Sequence, residues 1–186
     1  MPFLQTDFQG LLIFEPVVLE DSRGYFYESY NEKTCREAGL NVNFVQDNQA
    51  KSVYGVVRGM HYQLEPYGQA KFIRVLNGMI LDVVVDIRKG SPAFGKVFSI
   101  ELSAENRKQL FIPQGFAHGY SVLSETAEVF YKCDQFYHRE TEGGIIFNDA
   151  KLNINWGIPA DKIIISAKDR VHPGFNDARD NFQFTS

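Results

Sequence analysis

The sequence predicts an all-β domain, either a sandwich or a barrel, and three observations lead to this prediction. Short segments rich in β-branched and aromatic residues follow one another at close spacing along most of the chain. Turn-forming residues, chiefly glycine, proline and asparagine, separate these segments. Aromatic residues make up 14% of the 186 residues, a content better suited to strands or a stacking pocket than to a helical bundle.

Helical signals are few and short. One helix is predicted at 31–38. Asn31 can cap its N-terminus, Glu32 falls in its first turn, and Gly39 follows at a suitable end. A second short turn is expected at 103–107. Neither element is long enough to form a core, so both are predicted to lie at the periphery.

Strand signals cover most of the remaining sequence. The predicted strands are 11–19, 44–48, 53–63, 71–87, 96–102, 109–112, 120–123, 127–137 and 163–166. Inside 71–87, the dipeptide Asn77-Gly78 lies between two apolar segments, a pattern that favours a two-residue β-hairpin turn. We therefore expect the two halves of this segment to pair with each other.

Length and composition exclude several classes of protein function. A chain of 186 residues fits one domain, 1–186, and no linker or repeat divides it. Lys and Arg number 19 against 23 Asp and Glu, with no dense basic run, so nucleic-acid binding is not expected. No signal peptide or membrane-spanning segment is predicted. The two cysteines, Cys35 and Cys133, fit reduced thiols, so the expected location is the cytoplasm.

Several catalytic motifs are missing from the sequence. The histidines are His61, His118, His138 and His172, and no two of them have an HxH or HExxH spacing. No metal site is therefore expected. The GxSxG, GxGxxG and Walker patterns are also missing, which argues against most hydrolases, Rossmann oxidoreductases and P-loop enzymes.

The densest group of polar residues is 58–63, with the sequence Arg-Gly-Met-His-Tyr-Gln, and Lys71 follows it. In a regular strand Arg58 and His61 would lie on opposite faces, whereas a bulge at Gly59 would bring them to one face. From these residues alone, the favoured interpretation is a surface arginine and a partly buried histidine. A binding or catalytic site is the alternative.

Three further positions allow a structural or a functional interpretation. His118 lies in 113–120, where a proline and two glycines indicate a tight turn before a strand, so a solvated histidine is the simpler expectation. Lys168 and Asp169 follow a predicted strand and, by themselves, fit a surface ion pair. Tyr131 falls within a predicted strand and, by itself, is expected to pack rather than to react.

Six segments then occur in one order along the chain: 21–28, 44–48, 58–63, 113–119, 142–145 and 168–169. Together they resemble the dTDP-4-dehydrorhamnose 3,5-epimerase family, over almost the whole chain. The resemblance implies a cupin-type jelly-roll β-barrel with one or two short peripheral helices, a homodimer, and catalysis without a metal or other cofactor. It also implies conversion of dTDP-4-dehydro-6-deoxy-D-glucose to dTDP-4-dehydro-L-rhamnose.

The implied chemistry explains the residue types at four positions. Carbons 3 and 5 of the sugar flank a keto carbon, so their protons can be removed through an enolate by a base on one ring face and an acid on the other. The resemblance makes His61 the base and Asp169 the carboxylate that orients it. It makes Tyr131 the acid on the opposite face, and Lys71 the cation beside the keto oxygen.

The resemblance also implies a set of substrate-binding residues. These are Arg23, Phe26, Glu28, Gln46, Asp47, Asn48, Arg58, His118, Tyr137, Glu142 and Lys168. Arginine and lysine suit a pyrophosphate through their charge and geometry. In the family the N-terminal strand that carries Arg23 and Glu28 is exchanged between subunits, so each site is expected to be completed by the partner chain.

Other functions remain open from the sequence. A relative that epimerises only carbon 3 or only carbon 5 of another dTDP-4-keto-deoxy sugar would use the same catalytic residues. A non-catalytic sugar-binding cupin would be expected to lack one of them, and none is missing. A metal-dependent cupin would be expected to have clustered histidine ligands, which the sequence does not contain.

Overall fold

A computed structural model of the protein describes residues 2–185. Within this range there are fourteen strands and one α-helix, and their order follows the sequence. The strands are β1 (Phe3–Gln5), β2 (Leu12–Phe14), β3 (Leu19–Asp21), β4 (Gly24–Phe26), β5 (Gln46–Val53), β6 (Val56–Gln63), β7 (Lys71–Asn77), β8 (Met79–Asp86), β9 (Val97–Ser103), β10 (Gln109–Ile112), β11 (Phe116–Val122), β12 (Thr126–Cys133), β13 (Glu142–Gly144) and β14 (Ile164–Ile165). The helix α1 spans Glu32–Glu37.

The strands form two large sheets and one small hairpin. The first sheet has the order β1-β2-β10-β7-β12-β5, and all its pairs are antiparallel. The second sheet has the order β13-β6-β11-β8-β9, and β14 lies parallel to β6 at its side. Strands β3 and β4 pair only with each other and form an arm hairpin, Leu19–Phe26. The prediction of an all-β fold is confirmed.

The main core lies between the two large sheets. Ile73 and Val129 of the first sheet pack with Ile80 and Val84 of the second, and all four side chains are fully buried. Burying an aliphatic side chain of this size contributes roughly 1.5–3 kcal/mol. This contact fixes the separation of the sheets, and with it the position of every group on their inner faces.

The second sheet is covered on both faces. In β8, Val84 points into the main core, whereas Val83 and Val85 belong to a second apolar cluster on the outer face. Residues from the C-terminal third of the chain, including Trp156 and Phe175, complete this outer cluster. Burial on both faces explains why β8 reads as a nearly continuous apolar run.

The predicted hairpin at Asn77-Gly78 is wrong. Strand β7 pairs with β10 and β12, whereas β8 pairs with β9 and β11 in the other sheet. The chain instead crosses between the sheets at Gly78, which has φ +76° and packs so closely on the Thr126 carbonyl that a Cβ would collide with it. The local turn signal is correct, but the packing of both strands on the main core sets their partners.

The helix prediction is confirmed together with its cap. The Asn31 side chain accepts hydrogen bonds from the backbone N–H groups of Lys33 and Thr34 at 3.0 and 3.3 Å, and Gly39 follows with φ +85°. Helix α1 covers the outer face of the first sheet through the buried Cys35. Within residues 2–185, no helix is both long enough and apolar enough to cross a membrane.

Several strand boundaries differ from the predicted ones. The segment 11–19 is divided into β2 and the start of the arm hairpin, and 127–137 ends as a strand at Cys133. Strand β11 begins at Phe116 rather than at 120, so the predicted turn before it is shorter. The expected turn at 103–107 is formed, with the Arg107 N–H donating to the Ser103 carbonyl at 3.0 Å.

Candidate active site

A β-bulge in β6 sets the direction of two predicted site residues. His61 lies opposite His118 and Arg58 opposite Tyr120, so β6 has one more residue than β11 between these pairs. Gly59 has φ +114°, and a Cβ there would lie only 2.6 Å from the Cα of Gly119. Only glycine fits this position without strain.

The bulge places Arg58 and His61 on the same face of the second sheet. Val57 and Met60, three positions apart, both pack in the outer apolar cluster. The residues that follow them, Arg58 and His61, are therefore directed towards the inner face. The bulge at Gly59, which the sequence offered as one possibility, is present, and its effect is to give His61 access to the space between the sheets.

Asp169 approaches His61 from the other end of the sequence. Strand β14 pairs in parallel with the start of β6, and the short turn after it carries Asp169 to the bulge. The His61 Nε2 atom lies 2.7 Å from Asp169 Oδ1, and the Gly59 N–H donates to Asp169 Oδ2 at 3.4 Å. The Asp169 N–H donates to Ser166 Oγ at 3.1 Å, which holds the turn in place.

The Asp169 carboxyl group is held in its ionised form. Burial raises its pKa, but the hydrogen bond and charge of His61 and the Gly59 N–H together bring the pKa below the ordinary value. An ionised carboxylate only accepts hydrogen bonds. His61 therefore donates through Nε2, and its Nδ1 atom remains available as a base. The simple interpretation of Asp169 as a surface residue is wrong, since it is only 4% exposed.

A cavity of about 190 Å³ opens beside His61. It is lined by Gln46, Asn48, His61, Tyr62, Gln63, Gln69, Lys71, Tyr131, Tyr137 and Glu142. His61 comes from β6 in the second sheet, whereas Lys71 and Tyr131 come from β7 and β12 in the first. The cavity therefore brings together three of the four predicted catalytic residues, with Asp169 directly behind His61.

Burial shapes the acid–base behaviour of the groups from the first sheet. Desolvation lowers the pKa of the Lys71 amine, although the nearby carboxylates of Asp82 and Glu142 oppose this effect. Desolvation raises the pKa of Tyr131 to about 12. Tyr131 is therefore protonated at neutral pH and can act as a proton donor, while Lys71 holds its proton less tightly than an exposed lysine.

One rim of the cavity is a hydrogen-bonded set of three side chains. The Tyr137 hydroxyl donates to Glu142 Oε2 at 2.8 Å, and Lys168 Nζ donates to the same oxygen at 2.5 Å. Burial raises the pKa of Glu142, but these two hydrogen bonds outweigh it and lower the pKa overall. All three residues were predicted to bind substrate, and Lys168 pairs with Glu142 rather than with Asp169.

Known proteins resemble this chain over almost its whole length. The sequence profile of the family described as dTDP-4-dehydrorhamnose 3,5-epimerase matches residues 5–177. The chain belongs to this epimerase family. A dTDP-4-dehydrorhamnose 3,5-epimerase from Shigella flexneri is 51% identical over 179 residues, which cover 96% of this chain and 98% of that protein.

Solved structures of the epimerase family have the same fold as this chain. The dTDP-4-dehydrorhamnose 3,5-epimerase from Elizabethkingia anophelis NUHP1 is 52% identical with a TM-score of 0.91, covering 94% of this chain and 96% of that chain. The 3,5-epimerase from Legionella pneumophila Philadelphia 1, solved with dTDP-4-keto-L-rhamnose, is 43% identical with a TM-score of 0.90, covering 94% and 93%. The predicted cupin-type jelly roll is confirmed.

Three predicted binding residues of this epimerase-family chain lie away from the cavity. Arg23 is on the exposed arm hairpin and pairs with Asp21 at 2.5 Å. Phe26 is 66% exposed, and Glu28 accepts a hydrogen bond from Asn31 at 3.1 Å near the start of α1. None of the three lines the cavity beside His61.

The structure places three other predicted binding residues close to the cavity lining but not in it. Arg58 donates to Ser52 at 3.1 Å, and Asp47 pairs with Lys132 at 3.0 Å at the exposed edge. His118 is buried, with its Nε2 atom 2.9 Å from Asp82 Oδ2.

The expectation of a solvated His118 in a turn is wrong, because β11 begins before it and is buried along its whole length. Desolvation lowers the pKa of His118, although the Asp82 carboxylate opposes this effect.

Sequence reasoning missed four residues of this site. Tyr62, Gln63 and Gln69 line the cavity, and His172 packs behind it. Tyr62 and Gln63 belong to the polar group 58–63, which already signalled a site. No local pattern points to His172, since it reaches the His61 ring only through the turn that also carries Asp169.

One group of potential metal ligands occurs within residues 2–185. The ligand atoms of His61, Asp169 and His172 all lie within 4.8 Å of one another. Two members of this group are already paired with each other, since the His61 Nε2 atom lies 2.7 Å from Asp169 Oδ1. The expectation that the epimerase works without a metal remains a prediction.

Proposed function

We propose that the protein converts dTDP-4-dehydro-6-deoxy-D-glucose to dTDP-4-dehydro-L-rhamnose by inverting carbons 3 and 5. One observation carries the proposal: His61 and Tyr131 line the same cavity from opposite sheets. Epimerisation requires proton removal from one face of a sugar ring and proton delivery to the other. A ring bound between the two sheets presents one face to each residue.

The first step is proton abstraction from the carbon beside the keto group. His61 accepts this proton at Nδ1, because its Nε2–H is directed at the ionised Asp169 carboxylate. The negative charge of Asp169 stabilises the imidazolium that forms. Electron density from the broken C–H bond moves to the keto oxygen and gives an enolate.

The enolate oxygen needs positive charge beside it. Lys71 lines the cavity, and its buried amine meets this need in a region of low dielectric, where charge stabilisation is strongest. The lowered pKa of Lys71 also favours sharing its proton with the oxygen. The two effects together make an otherwise weakly acidic C–H bond accessible to a histidine base.

Tyr131 then returns a proton to the same carbon from the opposite face. Its pKa of about 12 keeps the phenol protonated at neutral pH until a basic carbanion-like centre is present. His61 and Tyr131 regain their starting protonation states through solvent before the second carbon reacts. The same pair of residues can therefore serve carbons 3 and 5 in turn.

We propose that the rim residues bind the nucleotide part of the substrate. Lys168 and Arg58 supply positive charge for the pyrophosphate, and Tyr137 supplies an exposed ring for stacking. Gln46 and Asn48 present amide groups to the cavity from β5. In this proposal Asp47, His118 and Glu142 make further contacts, directly or through these neighbours.

We also propose that the protein works as a homodimer in which the arm hairpin completes the partner's site. Arg23, Phe26 and Glu28 lie outside the cavity of their own chain. The arm region exposes Val17, Leu19 and Phe26 at 76%, 63% and 66%, a contiguous apolar surface typical of an interface. The cytoplasm is the proposed location, since both cysteines are free thiols.

Incorporation of deuterium from heavy water into dTDP-4-dehydro-6-deoxy-D-glucose, read by NMR, tests the proposed activity. We expect label and inversion at both carbon 3 and carbon 5. Label at only one carbon would identify a single-site epimerase instead. No label at either carbon, with binding of the nucleotide sugar retained, would identify a non-catalytic sugar-binding protein.

A further inference from the structure

We propose that His172 is a positioning residue for the base, holding the ring of His61 in the orientation that Asp169 requires. The proposal rests on the function proposed above, since it concerns the residue that removes the substrate proton. His172 is outside the cavity lining, so it acts through His61 and not on the sugar.

The two imidazole rings are packed edge to face. Their centroids lie 5.6 Å apart with an angle of 76° between the ring planes. This arrangement is the preferred one for neighbouring aromatic rings, and it restricts rotation of the His61 ring about its own side-chain bonds. The His61 side chain is about one-third exposed to the cavity, so the contact with His172 supports its buried side.

The space for the His172 ring is provided by a glycine. Gly144 on β13 lies opposite His61 in the register of the second sheet. A Cβ at Gly144 would collide with the His172 ring. His172 therefore occupies the position that a side chain at 144 would otherwise fill, directly beside the base. The His172 ring fits beside His61 because Gly144 has no side chain.

The same ring also borders the carboxylate. His172 Nε2 lies 3.5 Å from Asp169 Oδ1, the oxygen that accepts the hydrogen bond from His61. This Nε2 atom is buried and has no hydrogen-bond partner among the residues described. His172 therefore contacts this oxygen with the edge of its ring and makes no hydrogen bond to it. It blocks the carboxylate from turning away from His61.

His172 is suited to remain neutral while His61 gains a proton. The charged groups near its ring are His61, Asp169, Lys168 and Glu142. Burial and the positive charge of His61 lower the pKa of His172, although Asp169 opposes them. A neutral ring supports the base without competing with it for the single carboxylate.

Two substitutions separate the ring from its nitrogen atoms. His172→Ala removes the whole ring, whereas His172→Phe keeps the edge-to-face contact and removes both nitrogens. Val171→Ala is the matched control, because Val171 lies in the same turn and is 80% exposed. All variants are compared with the unmodified chain by deuterium incorporation into the nucleotide sugar and by proton NMR of the substrate-free protein.

We expect His172→Ala to lower kcat about tenfold with less than about a twofold change in KM, because a loosely held base is misplaced in the transition state. The far-downfield proton resonance of the His61–Asp169 hydrogen bond should broaden or disappear in this variant. His172→Phe should restore most of the rate and the resonance, and Val171→Ala should change neither.

Two results would overturn the proposal. One is a His172→Ala variant that keeps both the rate and the downfield resonance. The other is a His172→Phe variant that is as impaired as His172→Ala, which would assign the role to the nitrogen. If His172→Ala does not fold, His172→Leu, which fills the space but has no ring edge, takes its place in the comparison and should show the same loss. The NMR signal needs no substrate, so failure of the unmodified chain to label the sugar would refute only the proposed function.

Discussion

The Nε2 atom of His61 lies 2.7 Å from Oδ1 of Asp169, although 108 positions separate the two residues in the sequence. The parallel pairing of β14 with β6 brings them together, at the point where the bulge at Gly59 turns His61 inwards. Because the carboxylate is ionised, it determines which imidazole nitrogen carries the proton. The proposed mechanism depends on this single contact more than on any other.

Replacing His61 with Asn should abolish proton exchange while leaving the fold intact. We expect a fall of about 10²–10⁴-fold in the rate, the usual contribution of a general base. Deuterium incorporation at carbons 3 and 5 measures the effect. His138→Asn is the control, since the His138 ring stacks on Tyr67 outside the cavity lining. Turnover near the unmodified rate in His61→Asn would contradict the base assignment.

Replacing Tyr131 with Phe should separate proton removal from inversion. His61 would still abstract the proton, but delivery from the opposite face would be lost, so label should enter while L-sugar formation falls about 100-fold. NMR of the product mixture reads both quantities in one experiment. Tyr120→Phe serves as a control, because Tyr120 is a buried tyrosine outside the cavity lining. An unchanged product spectrum and rate would remove Tyr131 from the mechanism.

Replacing Lys71 with Met should weaken catalysis and strengthen the fold. Loss of the cation beside the enolate oxygen is expected to lower kcat by about 10²–10³-fold. Burial lowers the pKa of Lys71, so the charged amine destabilises the fold. This destabilisation is at its full size below the lowered pKa. The cost shrinks as the pH rises through the folded pKa, and it is gone above the unfolded value of about 10.4.

Thermal unfolding at two pH values checks the stability part of the Lys71 prediction. At pH 7 we expect Lys71→Met to raise Tm by a few degrees. This is the shift that about 1 kcal/mol produces in a chain of this size. The gain should be smaller at pH 10. A gain of the same size at both pH values would show that packing, and not the buried amine, is its cause.

Asp169 should contribute stability that is lost in acid. Its folded pKa lies below the ordinary value of 3.8, so its stabilisation is fully present above that value and disappears as the pH falls through the folded pKa. Asp169→Asn should therefore cost about 1–3 kcal/mol at pH 6 and less below about pH 4. Urea unfolding at both pH values measures the difference.

A solvent-exposed carboxylate provides the comparison for Asp169. The Asp161 side chain is 75% exposed, so Asp161→Asn should change the free energy of unfolding little at either pH. An Asp169→Asn variant whose loss of stability is the same at pH 6 and at about pH 2 would contradict the assignment of an ionised, hydrogen-bonded carboxylate.

Mixing two inactive variants should restore activity if the arm hairpin completes the partner's site. In a mixed dimer of His61→Asn and Arg23→Ala chains, one of the two sites combines an intact His61 with an intact Arg23. Random reassociation makes about half of the dimers mixed, so about a quarter of the unmodified activity is expected. Activity no greater than the mean of the two separate variants would place the arm in the site of its own chain.

Features fixed by local chemistry could be predicted from the sequence. The helix at 31–38 followed from the Asn31 cap and Gly39, both of which act within one turn. A glycine inside a strand pattern pointed to a possible bulge, and a Cβ at Gly59 would indeed collide with Gly119. These inferences needed no knowledge of which strands are neighbours.

Features fixed by long-range packing could not be predicted in this way. The turn signal at Gly78 was real, but it serves a crossing between sheets because the flanking strands both face the main core. His118 was expected to be solvated, and its burial depends on the pairing of β11 with β8, which brings it to Asp82. The family resemblance supplied the roles of His61, Tyr131 and Asp169, which local patterns left undecided.

The crossing of the chain between sheets has a consequence for how activity is acquired during folding. Because His61 and Tyr131 belong to different sheets, a chain with only one sheet assembled has at most one of these two residues in place. Pairings that join distant parts of a sequence form late, since their loops cost entropy before any contact is gained. Strands therefore form first, and the two sheets dock afterwards. Recovery of turnover after dilution from denaturant measures this docking step.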